Sequence, residues 1–266
     1  MKKIKQDYLL KYLRRLTSQK GRKKEGKFIL EGTRAVEEAL AADWPVEAIF
    51  YTRQAAAGEK VRHILAKAKA RRINRQEISP VLCRGLADTE TPSGIMALVK
   101  RFDYQLKDIF QNQPSLLVLA DGIQDPGNLG TIIRSTDAAG AQGVIITKGT
   151  VDLYNPKVIR ATMGSFFHLP VVMAGTLEEL RDFMATFNLQ LIAGQQKSPK
   201  LIKAVNLTLP TVLAVGNEAY GLSPEVLNLA NHAVSIPMPG KTESLNAAIA
   251  ISIMLYETIR QRLPKH

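Results

Sequence analysis

The sequence predicts an α/β protein: a C-terminal, mostly parallel sheet with helices on both faces, preceded by a small α/β unit. Three observations carry this. From residue 116 onward short apolar strands alternate with helices, the pattern of a parallel sheet covered on both sides. A polar, mixed stretch at 102–113, followed by Pro114, separates that alternation from what precedes it. Charge is also divided unevenly, with 24 basic against 13 acidic residues up to position 113 and 12 against 11 beyond it.

Taken in order, Ile4, Tyr8, Leu9, Tyr12, Leu13 and Leu16 recur at helical spacing, so the chain opens with a basic amphipathic helix. The stretch SQKGRKKEGK (18–27) reads as a flexible basic connection. KFILEG is a short strand, Thr33–Ala41 a helix and VEAIFYT (46–52) a second strand. Residues 59–72 form a helix with a largely basic surface, and IMALVKR (95–101) closes the unit. This divides the chain into a basic helix or tail (1–24), a small α/β domain (25–101), a linker (102–114) and a larger domain (115–266). In the last of these, strands are expected at Leu116–Asp121, 143–147, 169–173, 189–195, Thr211–Gly216 and 233–238. Helices are expected after the first strand, from Pro156, and over 177–187, 223–230 and 244–262.

The 266 residues are enough for one large domain or two ordinary ones. No apolar run reaches the length of a membrane span; 247–255 is broken by Ser252. The Met-Lys-Lys start is followed by no apolar segment, so a cytoplasmic location is expected. Cys83, the only cysteine, excludes an internal disulfide, and the four histidines (63, 168, 232, 266) are scattered, so no metal is expected. The net charge of +12 is concentrated in two clusters. Residues 1–24 hold ten Lys and Arg against Asp7, and 60–75 hold seven with no acid. Two clusters in one half favour a polyanion such as nucleic acid as partner.

In parallel sheets, ligands sit beyond the carboxyl ends of the strands, so the loops after Ala120, Val215 and Ile236 matter most. The first, DGIQDPGNLGTIIRSTDAAG (121–140), looks like a nucleotide-binding turn but lacks both G-x-G-x-x-G and the P-loop spacing. Asn128 is placed to cap the helix that follows, and Arg134 lies six residues on. The second, VLAVGNEAYGLS (212–223), empties a buried strand into Gly216, Asn217 and Glu218: a small residue, an amide and a carboxylate suited to close approach and polar recognition. The third, VSIPMPGKTESLNAAIAIS (234–252), is a rigid loop before a helix opened by Ser244, Leu245 and Asn246. There Ser244 or Thr242 suffices as N-cap, and Asn246 has no evident structural task.

Asn-x5-Arg after the first strand, Gly-Asn-Glu, and Ser-Leu-Asn at the start of the last helix together resemble the SpoU/TrmH branch of the SPOUT superfamily, RNA 2′-O-ribose methyltransferases. FILEGTRAVEEAL and TPSGIMALVK resemble that family's N-terminal substrate-binding domain. The likeness covers all but about the first twenty residues. It implies a deep trefoil knot, S-adenosylmethionine as cofactor, an RNA substrate and a homodimer. Gly216, Asn217, Ile236 and Leu245 would contact the cofactor. Asn128, Arg134, Glu218, Ser244 and Asn246 would form the polar catalytic cluster. Ribosomal RNA is the expected substrate, because a separate substrate domain and basic tail accompany the catalytic unit; transfer RNA is the alternative.

Other classes fit less well. A Rossmann-type methyltransferase requires a G-x-G loop and an acid after the second strand, where this chain has Thr147-Lys148-Gly149. A non-catalytic RNA-binding protein explains the basic half but not the Asn/Arg/Glu/Asn set. A base methyltransferase of the same superfamily is the nearest rival, and Asn-x5-Arg favours ribose.

Overall fold

The computed structural model describes residues 6–109, 113 and 115–264. Ile4 of the first helix, Pro114 at the linker boundary and His266 lie outside them. The chain forms two compact units: one runs to Phe102 and includes Tyr154–Phe167, the other holds Asp103–Leu153 and His168–His266.

In the first unit, α1 (Gln6–Arg15) buries Leu9 and Leu13, and Leu16 follows them inward. These leucines pack with Ile78, Leu82, Leu86, Met96 and Leu98, so the helix belongs to a core. The stretch expected as a flexible connection is instead α2 (Gln19–Glu25). Ser18 caps it through Gly21 N, and Gly26, at φ 61°, ends it in the left-handed conformation. Arg22 anchors this helix. It is only 4% exposed, and its Nη1 donates to the carbonyls of Leu16 (3.1 Å) and Thr17 (2.7 Å), just past the end of α1. A basic run normally reads as solvated, and this buried charge is what the sequence hides.

The chain continues through β1 (Lys27–Glu31), α3 (Thr33–Ala41), β2 (Val46–Tyr51), α4 (Arg53–Ala56) and α5 (Glu59–Ala70). Then come β3 (Asn74–Glu77), α6 (Pro80–Leu86) and β4 (Ile95–Lys100). The sheet order is β1-β4-β2-β3, with only β2 and β3 parallel. β3, α4 and α6 lie where the sequence pattern indicated no element. NRQE carries no apolar alternation, whereas α6 had a legible start in the Ser79 cap and Pro80. Tyr154–Phe167, which contains α8, clusters with this unit through aromatic packing. Ring centroids lie 4.9 Å apart for Phe28 and Tyr154 and 5.2 Å for Trp44 and Phe166.

The second unit holds a six-stranded sheet, all parallel, in the order β10-β8-β9-β5-β6-β7. Its elements are β5 (Leu116–Asp121), α7 (Pro126–Ala138) and β6 (Gly143–Ile146), then, after α8 (Pro156–Ala161), β7 (Val171–Met173) and α9 (Leu177–Thr186). They continue with β8 (Gln190–Gly194), β9 (Thr211–Gly216), α10 (Pro224–Leu229), β10 (His232–Val234) and α11 (Ala247–Arg262). Every residue of β5 and β9 is buried, as strands covered on both faces must be. Leu117, Leu119, Val212 and Ala214 face Leu180, Met184 and Val226 of α9 and α10. The alternate residues leave the other face to α7 and α11, which pack on the central strands and on each other.

Replacing Arg22 by Ala should lower the stability of the first unit by about 1.5–3 kcal/mol, the worth of hydrogen bonds from a charged donor. Urea unfolding followed by the fluorescence of buried Trp44 reads this directly. An unchanged midpoint would show that Arg22 is a passenger.

Candidate active site at the carboxyl ends of the parallel strands

The site starts from three strand ends. Asp121 closes β5 and is 6% exposed, and its carboxylate accepts from Thr147 Oγ1 (2.5 Å) and Ser223 N (2.7 Å). Thr147 in turn accepts from Gly122 N (3.0 Å), so one buried carboxylate and one hydroxyl bind together the loops after β5, β6 and β9. The sequence offered Thr147 only as the absence of an acid, and Asp121 went unremarked.

At the end of β9 the chain turns back on itself. A Cβ on Gly216 would lie 2.1 Å from both Gly221 C and Leu222 N, so only glycine fits. Asn217 fixes this turn. Its Oδ1 accepts from Ala219 N (2.8 Å) and Tyr220 N (3.2 Å), and its Nδ2 donates to Gly122 O (2.9 Å).

Glu218, the next residue, meets the first residue of a chain of amides. Asn128 Nδ2 donates to Glu218 Oε1 (2.7 Å), and Asn246 Nδ2 donates to Asn128 Oδ1 (2.8 Å). Asn246 Oδ1 accepts from Ala248 N (2.9 Å) and Ile249 N (3.3 Å) at the start of α11. Both helix caps differ from those expected from the sequence. Asn246, not Ser244 or Thr242, is the N-cap of α11, which begins at Ala247. Asn128 is not a cap: Asp125 takes that place in α7, accepting from Asn128 N (2.7 Å), which frees the Asn128 side chain for the network. Partial burial pushes the Glu218 carboxyl up, but hydrogen bonds from Asn128 and from the backbone of 124, 125 and 218 outweigh it and hold the group below its ordinary 4.5.

A cavity of ≈ 380 Å³ opens beside this network, within the ~300–1,000 Å³ usual for small-molecule sites. Its apolar wall comes from Val215, Leu222, Val234, Ile236, Met238, Leu245 and Met254, and its polar side from Gln195, Gln196, Lys197, Asn217 and Glu218. Gly216, Asn217, Ile236 and Leu245 therefore share one cavity, and Glu218 joins it to the amide chain. The stretch 194–197 and Met254 went unnoticed in the sequence, the latter because it reads as helix core. Arg134 and Ser244 stand apart from both groups. Arg134 is exposed on α7 and makes no hydrogen bond or ion pair among the described residues, and Ser244 is exposed in the loop before α11. Among the described residues no group of three or more His, Cys, Asp or Glu is placed to hold a metal ion. No described helix is long and apolar enough to cross a membrane.

The carboxyl-end loops of the parallel sheet thus enclose a small-molecule-sized cavity beside a polar network, the place where ligands of such sheets sit. Residues 115–256 match the SpoU rRNA Methylase family, and residues 8–97 match the MRM3-like substrate binding domain. The chain is 36% identical to an uncharacterised tRNA/rRNA methyltransferase of Synechocystis sp., over 97% of this chain and 92% of that protein. It is 34% identical to the 23S rRNA (uridine(2479)-2′-O)-methyltransferase of Streptomyces viridochromogenes, over 91% and 85%. The crystal structure of an AdoMet-bound rRNA methyltransferase from Sinorhizobium meliloti superposes with a TM-score of 0.87 at 31% identity, covering 99% of this chain and 98% of that one. The chain belongs to the SpoU rRNA methylase family. It is an RNA ribose methyltransferase whose methyl donor is S-adenosylmethionine.

Replacing Asn128 by Ala removes the side-chain donor to Glu218 while burial remains, so the carboxyl pKa should rise. A carboxylate held below 4.5 contributes stability that is complete above 4.5 and is lost as pH falls through the folded value. The stability gap between the parent and Asn128→Ala should therefore be full at neutral pH and narrow in acid. Carboxyl titration by carbon-13 NMR, alongside urea unfolding at each pH, checks both; a Glu218 titration unmoved by the substitution would refute the coupling.

Proposed function

We propose that this chain methylates the 2′-hydroxyl of one ribose in structured RNA, in 23S ribosomal RNA, acting as a homodimer. The observation that carries this reading is the connected chain Glu218–Asn128–Asn246 at the edge of the cavity. The cavity suits the cofactor: an apolar wall for the base and thioether, with amides, a carboxylate and Lys197 for the ribose and amino-acid end. Gly216, Asn217, Ile236 and Leu245 would hold it. S-adenosylmethionine supplies a methyl group on a sulfonium that leaves as a neutral thioether.

With so good a leaving group, the chain's own residues have mainly to align the hydroxyl. Asn128 and Asn246, each oriented by the hydrogen bonds above, would hold the ribose. Glu218, held below its ordinary pKa, is a weak base and serves to orient Asn128. Arg134, unengaged among the described residues, would clamp the neighbouring phosphate and stabilise the developing alkoxide. A guanidinium does not give up its proton near neutral pH, so it is not the base; the hydroxyl proton would pass to solvent water as the oxygen–methyl bond forms and the sulfur–methyl bond breaks. Ser244, exposed two residues before Asn246, would face the RNA.

The exposed Lys60, Arg62, Lys67 and Lys69 of α5, with Lys11, Arg14 and Arg15 of α1, would form the RNA footprint of the first unit. Ile249, Ile253 and Tyr256, at positions i, i+4 and i+7 of α11, are 52%, 37% and 68% exposed, an apolar stripe that supports pairing with a second copy. Loops 216–223 and 235–246, meeting at one cavity, support the knotted threading that the family resemblance implies.

Mapping 2′-O-methyl sites in RNA from cells lacking and regaining this gene tests the reading. Loss of a single 23S site is expected; loss of a transfer-RNA site instead would overturn the ribosomal assignment. Gly216→Ala should weaken cofactor binding by about tenfold or more in calorimetry, because its Cβ meets backbone at 2.1 Å. Normal affinity would show that the turn has another route. Arg134→Ala should lower turnover by roughly 10²–10³ while cofactor affinity stays within several-fold, and Arg134→Lys should not recover it. A fully active Lys variant would leave Arg134 a simple charge.

A further inference from the structure

Tyr220 is 90% exposed, the most open of the large apolar and aromatic side chains among the described residues. Nothing in the network above uses its ring. Its backbone, by contrast, is among the most constrained near the site. The 216–221 turn has no room at Gly216, Asn217 Oδ1 accepts from Tyr220 N, and Gly221 N donates to Asn217 O (2.9 Å). The phenol makes no hydrogen bond among the described residues. An aromatic left in water forgoes the ~1.5–3 kcal/mol that burial of a large side chain returns. Here the fold holds such a ring on a rigid turn, lining the mouth of the cavity two residues from Glu218.

Resting on the ribose-methylation reading, we infer that Tyr220 is the stacking platform for the base of the target nucleotide, turned out of its helix. The chemistry follows from the nucleotide. The hydroxyl to be methylated is on C2′ and the base is on the adjacent C1′, so a ribose held by Asn128 and Asn246 carries its base within a few ångströms of the turn. Unstacked RNA bases are commonly received on aromatic side chains, and the contact is worth about 1–3 kcal/mol per base. Tyr220 is thus a positioning residue: it selects an extruded nucleotide and fixes its ribose, while the reacting atoms meet other groups. Because every base has a π face, the ring selects for extrusion rather than for base identity.

The test uses the full-length protein with S-adenosylmethionine carrying a tritiated methyl group and total ribosomal RNA from cells lacking the gene. Tyr220→Ala should raise the KM for RNA about tenfold, the equivalent of ~1.4 kcal/mol, with cofactor affinity unchanged. Tyr220→Phe should recover the KM, since stacking needs the ring and not the hydroxyl. In Tyr220→Trp, the fluorescence added over the parent's buried Trp44 should be quenched by a single-stranded oligouridylate and not by a duplex of equal length. An Ala variant with unchanged KM overturns the inference, as does equal quenching by duplex. A fall in cofactor affinity at constant RNA KM would assign the ring to the cofactor's adenine instead. A parent protein that binds cofactor but methylates no RNA would refute the ribose-methylation reading itself.

Discussion

The rest of the site depends on the absence of a side chain at Gly216. The end of β9 runs so close to the returning Gly221–Leu222 backbone that a single carbon would sit 2.1 Å from it. That approach folds the next residues into a tight turn, and Asn217 ties the turn to Gly122, just beyond β5. Only then does the carboxylate of Glu218 come within 2.7 Å of Asn128, ninety residues away in sequence. Asp121 and Thr147 reinforce the same junction from below, with bonds among the loops after β5, β6 and β9. Two loops that would otherwise be separate surface connections become one rigid wall.

The amide chain built on that wall has a direction. Backbone N–H groups at the start of α11 face Asn246 and require its oxygen, so its NH₂ must point outward. Asn128 then has to offer its oxygen to Asn246, which leaves its own NH₂ for Glu218. Each amide orientation is set by the one before it, from the helix terminus to the carboxylate, and neither amide is free to flip. This explains the residue types: an Asp at 128 could still accept from Asn246 but would confront Glu218 with a second negative charge. It also shows that capping a helix and joining the network are not alternatives. Asn246 does both, its oxygen serving the helix and its NH₂ serving Asn128.

Much of this was legible in the sequence, and the exceptions have physical causes. The strands of the parallel sheet announced themselves as continuous apolar runs, and Thr33–Ala41 has the bounds its periodicity indicated. The edge strand β3, NRQE, has no apolar residue to reveal it, and α2 hides in what looks like a charge run because the group that anchors it is an arginine. At the site, the short motifs pointed to Asn128, Glu218 and Asn246, but spacing alone misassigned the caps. A cap is decided by which side chain has the right backbone angle, and in α7 that was Asp125, next to Pro126. Asp121 was missed because an acid ending a strand is a signal only once the partner it meets is known. Tyr220 was missed because an exposed aromatic and a buried one look identical in a string of letters.

Charge gives the same lesson in another form. The formal +12 is not a surface quantity, because several arginines are committed to holding the chain together. Arg22 binds the carbonyls after α1, and Arg71 bonds Leu40 O and Asp43 at the end of α3. Arg160 pairs with Asp88 at 2.7 Å. Arg262 donates to the carbonyls of Ser115, Leu207 and Leu209, and its burial lowers its pKa without threatening its charge. The five-donor fork of arginine suits such carbonyl clusters, whereas a lysine is a mobile point charge on a flexible stem. On α5, then, the charge left for a polyanion is mostly lysine: Lys60, Lys67 and Lys69, with Arg62 alone among them. Point charges of that kind grip phosphates without reading sequence. Such charges would hold an RNA without choosing within it, and the groups with fixed directions are instead the Asn246–Asn128–Glu218 chain and the 216–221 turn beside the cavity.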